Sequence, residues 1–139
     1  MINRSIKFIT PLPGFKTIFQ YTLKELIHLE QQLFYELSSE EGVGLLLVDP
    51  FHIKKSYEVK LPEEILEKMN IVDTADVVIF CIVTVQEPFE HSTVNLRAPI
   101  IINLKESLGY QWIRNDHHES IKHPLKSYSD KEINHADIK

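Results

Sequence analysis

Asp76-Val77-Val78-Ile79-Phe80-Cys81-Ile82-Val83-Thr84-Val85 is a run in which only Asp76 and Thr84 are clearly polar. Its β-branched residues favour extended backbone. Apolar side chains at both odd and even positions predict a central strand covered on both faces. Cys81 lies within it and reads as a small buried hydrophobe, because no cationic neighbour lowers its pKa. A strand of this kind needs other elements to cover it, and they are sought on either side.

Upstream, Pro62 to Met69 predicts a short helix. Pro62 suits a helix start, Glu63 and Glu64 complement the positive end of the dipole, and Asn70 is a plausible stop. Ile65, Leu66 and Met69 form its apolar stripe. Tyr57, Val59 and Leu61 alternate with Glu58 and Lys60, the period-two pattern of a half-exposed strand. Val43 to Val48 predicts a buried strand stopped by Asp49-Pro50. Downstream, Val94 to Asn103 predicts a strand in which Pro99 marks a bulge or an edge. Tyr110 to Arg114 pairs with it as a hairpin through Leu104 to Gly109. Pro11-Leu12-Pro13-Gly14 reads as a turn or extended entry.

One segment is ambiguous. Leu23, Leu26, Ile27, Glu30, Leu33, Phe34 and Leu37 stand at helical spacing, so periodicity alone predicts an amphipathic helix within Lys16 to Leu37.

The chain has 139 residues, 43% hydrophobic and 25% charged, which fits one globular domain with its own core. A domain over 1–125 and a polar, mobile tail over 126–139 are expected. A lone cysteine excludes a disulfide scaffold and allows a reducing compartment. No signal peptide is read at the N-terminus, and no apolar run approaches the ~20 residues of a membrane helix.

The net charge of −5 is concentrated. Residues 1–55 and 92–139 are close to neutral. Ser56 to His91 carries Lys60 and Lys68 against Glu58, Glu63, Glu64, Glu67, Asp73, Asp76, Glu87 and Glu90. Such a segment is either a solvated acidic face or a surface for a basic partner. It argues against direct nucleic-acid binding, which needs clustered Lys and Arg.

Reactive constellations are missing from the sequence. Seven histidines are present, but Asn115-Asp116-His117-His118-Glu119 is the only cluster, and adjacent side chains on a strand face opposite ways. Gly42-Val43-Gly44 lacks the remainder of a phosphate loop. No nucleophile elbow occurs. No cofactor, metal or catalytic residue is expected, and a binding protein fits better than an enzyme.

Taken in order, several segments resemble the FliW flagellar assembly factor family over roughly Ile6 to Leu125. They are Phe8-Ile9-Thr10-Pro11-Leu12-Pro13-Gly14-Phe15, Leu47-Val48-Asp49-Pro50-Phe51, Tyr57-Glu58-Val59-Lys60-Leu61-Pro62, Asp76-Val77-Val78 running into Ile82-Val83-Thr84-Val85, Thr93-Val94-Asn95-Leu96-Arg97-Ala98-Pro99-Ile100-Ile101-Ile102-Asn103, and His123-Pro124-Leu125. The Asn-Leu-x-Ala-Pro-Ile stretch is the most specific.

The resemblance implies a mainly β, compact, barrel-like domain with one short helix near residues 62–69. It implies a non-enzymatic, cytoplasmic, monomeric protein that binds flagellin. It also implies binding of the basic RNA-binding regulator CsrA, which is thereby kept off flagellin messenger RNA in a partner switch. It implies strand for Leu33 to Leu37 and leaves Thr22 to Glu30 open. Members of the family carry about a dozen further residues before the Phe8 region, forming a first hairpin, so an upstream start or an exposed sheet edge is expected here. Candidate partner-binding residues are Glu58, Glu63, Glu64 and Glu67 as the acid, Phe51 and Phe89 as aromatic anchors beside prolines, and Asn95 and Arg97 in the specific motif. The rival function is a small-molecule-binding β barrel.

Overall fold

In the computed structural model, which describes residues 3–29, 32–115 and 117–125, the run at the centre of the sequence is a strand with partners on both edges. The elements in chain order are β1 (Asn3–Phe8), β2 (Gln20–Leu29), β3 (Gln32–Ser38), β4 (Gly44–Val48), α1 (Pro50–Ile53), α2 (Glu63–Lys68), β5 (Val77–Thr84), β6 (Thr93–Val94), β7 (Ile100–Asn103), β8 (Leu108–Gln111) and β9 (His123–Pro124). The order β4-β3-β2-β1-β8-β7-β5, with β5 returning to β4, closes a barrel of seven strands. The pair β6–β9 branches from the end of β5. The mainly β, barrel-like expectation holds. Residues 126–139, expected as a tail, lie outside the described residues.

Alternation sorts side chains to the two faces of the barrel wall. Ile6, Phe8, Tyr21, Leu23, Leu37, Leu47, Phe80, Ile100 and Ile102 point inward and fill the interior. The outer face of β3–β4–β5, with Phe34, Val48, Cys81 and Val83, is covered by Ile53, Tyr57, Leu96 and Leu125. The outer face of β5–β7–β8, with Val77, Ile79, Ile101 and Leu108, is covered by Ile65 and Met69 of α2. Hence β5 is apolar on both sides because both sides are packed. Burial raises the Cys81 thiol to about 12, which keeps it protonated and inert at neutral pH.

The helical periodicity of the Lys16–Leu37 segment comes from apolar residues on both faces of two strands, one of them bulged. β2 and β3 are antiparallel, with Glu25 opposite Tyr35 and His28 opposite Leu33, so two residues of β2 face one of β3. Leu23 and Leu26, and likewise Phe34 and Leu37, stand three residues apart because they lie on opposite faces of the wall, and that spacing mimics a helix. Inside the barrel Leu23 joins Tyr21, while Leu26 packs on the outer cluster with Phe34.

Two further expectations change. Tyr57–Leu61 is extended, with Tyr57 buried and Glu58 and Lys60 exposed, but it joins no ladder. Alternation reported half-burial there, and a segment lying across the outside of a barrel satisfies that as well as a strand does. Val94–Asn103 is not one strand: β6 and β7 both pair with β5, and the residues between them loop out opposite Cys81. Pro99 thus marks a large bulge. The predicted helix at 62–69 is α2, with Pro62 as its cap, and Asn70 ends it at a φ of 55°. The turn α1 was not expected, although Asp49 and Pro50 encode it. The Asp49 carboxylate accepts the Phe51 N–H at 2.9 Å, and Pro50 takes the first turn.

β1 pairs with β2 along one side but with β8 on the other only at Lys7 and Phe8, so among the described residues the edge anticipated at the head of the sheet is covered at its end and lacks a ladder along Asn3–Ile6. Buried Asn103 docks α2. Its amide N–H groups reach Met69 O at 2.9 Å and Asn70 O at 3.2 Å, while its Oδ1 accepts from Lys105 N and Glu106 N. Among the described residues no helix is long and apolar enough to cross a membrane.

Candidate protein-binding site

The Tyr57–Leu61 segment forms a ridge between two hollows. Ser56, Glu58 and Lys60 face one, a groove of about 590 Å³ shared with Trp112, Arg114, His117 and His118. Val59 and Leu61 face the other, an apolar hollow of about 350 Å³ shared with Phe51, Leu66, Val77 and Ile79. The alternation legible in the sequence therefore packs Tyr57, Val59 and Leu61 against the barrel and turns the exposed Glu58 and Lys60 toward the first groove.

The ridge is held by a buried polar cluster. Tyr57 Oη donates to Leu96 O at 2.7 Å. Arg114 Nη2 donates to Leu96 O at 2.7 Å and to Tyr57 Oη at 2.9 Å, and its Nε donates to Arg97 O at 3.1 Å. Glu119, 4% exposed, pairs with Lys54 at 2.8 Å, and its backbone carbonyl accepts from Arg97 Nε at 2.8 Å. The bulge, the Trp112–Glu119 loop and the start of the ridge are thus one hydrogen-bonded unit. Burial, foremost, pushes the Tyr57 hydroxyl far above its ordinary range, so it stays a neutral donor.

The sequence-predicted residues fall around this unit. Asn95 Oδ1 accepts from Arg97 N at 3.1 Å and Ala98 N at 3.2 Å, so Asn95 orders the turn of the bulge. Arg97 clamps the bulge to Glu119. Glu58 lines the groove. Glu63, Glu64 and Glu67 are exposed on α2, whose Leu66 lines the apolar hollow. Phe51 borders that hollow, 42% exposed, its ring edge-on to Tyr57 at 5.5 Å. Phe89, 38% exposed, packs edge-on against Phe34 at 6.0 Å and lines neither hollow. Phe51 and the α2 acid are therefore neighbours, and Phe89 stands apart. Sequence reasoning missed Lys54, Tyr57, Trp112, Arg114 and Glu119 as site residues. Only the acid–histidine cluster at 115–119 marked the neighbourhood, and no group of described residues could hold a metal ion.

His117 sits between two donors, Arg114 Nη1 at 3.0 Å from Nε2 and Glu119 N at 3.2 Å from Nδ1. The neutral ring accepts from one of them, according to its tautomer, and the protonated ring from neither. Burial first, then the Arg114 charge, lowers its pKa, and burial and Lys54 lower that of His123. For both, the folded value lies below the unfolded ~6.5, so their stabilisation is present above that pH and is lost as pH falls through it. The melting temperature should therefore drop from pH 7 to pH 5, and His117→Asn should flatten that slope. An unchanged slope in the variant would assign the loss elsewhere.

Known proteins share this architecture. The family model described as FliW protein matches residues 2–125. The chain belongs to the FliW family. A flagellar assembly factor FliW of Clostridium botulinum (strain Langeland) is 37% identical over 120 residues, covering 86% of this chain and 84% of that protein. One from Clostridioides difficile is 36% identical over 112 residues, covering 81% and 86%. A crystal structure of the flagellar assembly factor FliW matches with a TM-score of 0.78 at 35% identity, covering 88% of this chain and 85% of that one. FliW proteins are named for assembling flagella, not for a catalysed reaction.

Proposed function

We propose that this FliW-family protein is a cytoplasmic, monomeric binding protein that holds flagellin and, in a partner switch, sequesters CsrA away from flagellin messenger RNA. It contacts neither nucleic acid nor membrane directly. The observation that carries this reading is the face formed by α2 and Phe51. There Glu63, Glu64 and Glu67 stand in solvent beside an apolar hollow, on a helix pinned to the barrel by Asn103. Acid beside an apolar anchor suits a basic partner, because charge steers and selects while buried aromatic area supplies affinity. Glu58 lies across the ridge, in the other groove, and offers a contact separate from this face. Asn95 and Arg97 act by shaping the bulge, and Phe89 offers a separate contact.

The test is titration with CsrA and with flagellin at two salt concentrations. CsrA affinity should fall at high salt and drop by about tenfold or more in Glu63→Lys/Glu64→Lys/Glu67→Lys. Phe51→Ala should weaken binding at both salt concentrations alike. CsrA binding indifferent to salt and to the triple reversal would remove this mechanism.

A further inference from the structure

Arg114 is only 8% exposed, yet among the described residues no carboxylate lies within ion-pair distance of it. Among the described residues its hydrogen bonds go to Leu96 O, Arg97 O, Tyr57 Oη and His117 Nε2, all neutral groups. Its charge also lies over the rings of Trp112 at 5.3 Å and Tyr57 at 5.6 Å. The nearby Glu119 carboxylate is engaged by Lys54 at 2.8 Å and faces His118 at 3.6 Å. A guanidinium has five N–H donors, and one on Nη1 has no acceptor among the described residues. Taking a cation out of water without a counter-charge is costly, so such a group is poised for an anion.

The groove supplies the room. Its 590 Å³ runs from Trp112 past Arg114 to His117 and His118, with Lys60 on the ridge wall and Glu58 beside it. One guanidinium next to one indole suits a single carboxylate flanked by apolar groups. A polyanion would be repelled by the net charge of −5 and by Glu58.

We propose that this groove binds a carboxylate side chain presented by a partner protein, with Arg114 as its anchor and Trp112 as its apolar wall. This lies beyond the acidic-face reading and does not depend on it. It gives the Tyr57–Leu61 ridge opposite chemistries on its two sides.

Trp112 is the sole tryptophan, so its fluorescence reports the groove directly. The probes are the pentapeptide acetyl-Ala-Leu-Glu-Leu-Ala-amide, its Gln counterpart and sodium phosphate. The Glu peptide should give a saturable change, and the Gln peptide should bind about fivefold more weakly or worse, because a charged hydrogen bond is replaced by a neutral one. Arg114→Gln should abolish the response but removes internal bonds as well. Lys60→Glu, at an exposed position, should weaken the Glu peptide about threefold or more with an unchanged melting temperature. Equal affinity for the two peptides, equal saturation by phosphate, or an unaltered affinity in Lys60→Glu would overturn the proposal. So would a response seen only in Asp116→Asn, which would give the counter-charge to the chain itself.

Discussion

Gly109→Ala is expected to destabilise the protein by about 3 kcal/mol, the upper end for overpacking a close-packed core. A Cβ at this position would stand 2.8 Å from two ring carbons of Phe8 and 3.0 Å from a methyl of Ile6. Phe8 cannot yield, because it is buried and held edge-on against Tyr21 at 5.3 Å. The position lies on the seam where β1 meets β8, with Ile9 N bonded to Gly109 O at 3.0 Å. Backbone entropy alone argues the opposite, since Ala in a strand is favoured over Gly by about 0.5–1 kcal/mol. Denaturant titration decides between the two. A loss of ~3 kcal/mol corresponds to a melting point lower by roughly 10 °C, whereas a gain would mean that the seam is looser than the contacts imply.

Arg114→Met should cost about 2–3 kcal/mol. Exchanging a buried ion pair for apolar groups is often neutral, because both desolvation penalties disappear together. Arg114 differs in that its partners among the described residues are two carbonyls, a hydroxyl and the His117 ring, which stay behind in the Met variant. Leu96 O keeps the Tyr57 hydroxyl, but Arg97 O loses its side-chain donor. Tyr57→Phe combined with Arg114→Met should show a coupling of about 1 kcal/mol, because both donate to Leu96 O. Strict additivity would mean that the two do not act as one unit.

How much of this was readable beforehand depends on the range of the interaction. The strand β5, the helix α2 and the β7–β8 hairpin follow from local pattern, because burial and capping are written in adjacent residues. The β2–β3 hairpin was hidden because its apolar residues lie on both faces of the wall, and a three-residue gap between opposite faces imitates a helical period. The Tyr57–Leu61 alternation was read correctly as half-burial and wrongly as strand pairing, because periodicity reports exposure and not hydrogen-bond partners. The acid of α2 was visible as charge and became a surface once Asn103 and the barrel fixed its direction. The Tyr57–Arg114–Glu119 cluster was invisible, because it joins side chains scattered from Lys54 to Glu119 through a bulge whose shape no local pattern specifies.

The barrel's seam has a consequence for how the chain is made. β1 finds its second neighbour only in β8, roughly a hundred residues later, so ring closure is among the longest-range contacts in the molecule. A ribosome releases β1 to β4 as a ready meander with two bare flanks. One flank waits for β5, and the other waits until Leu108 and Gly109 emerge. During that interval the nascent chain is open to mispairing with its own kind. The speed with which its last third is translated thus becomes part of how reliably it folds.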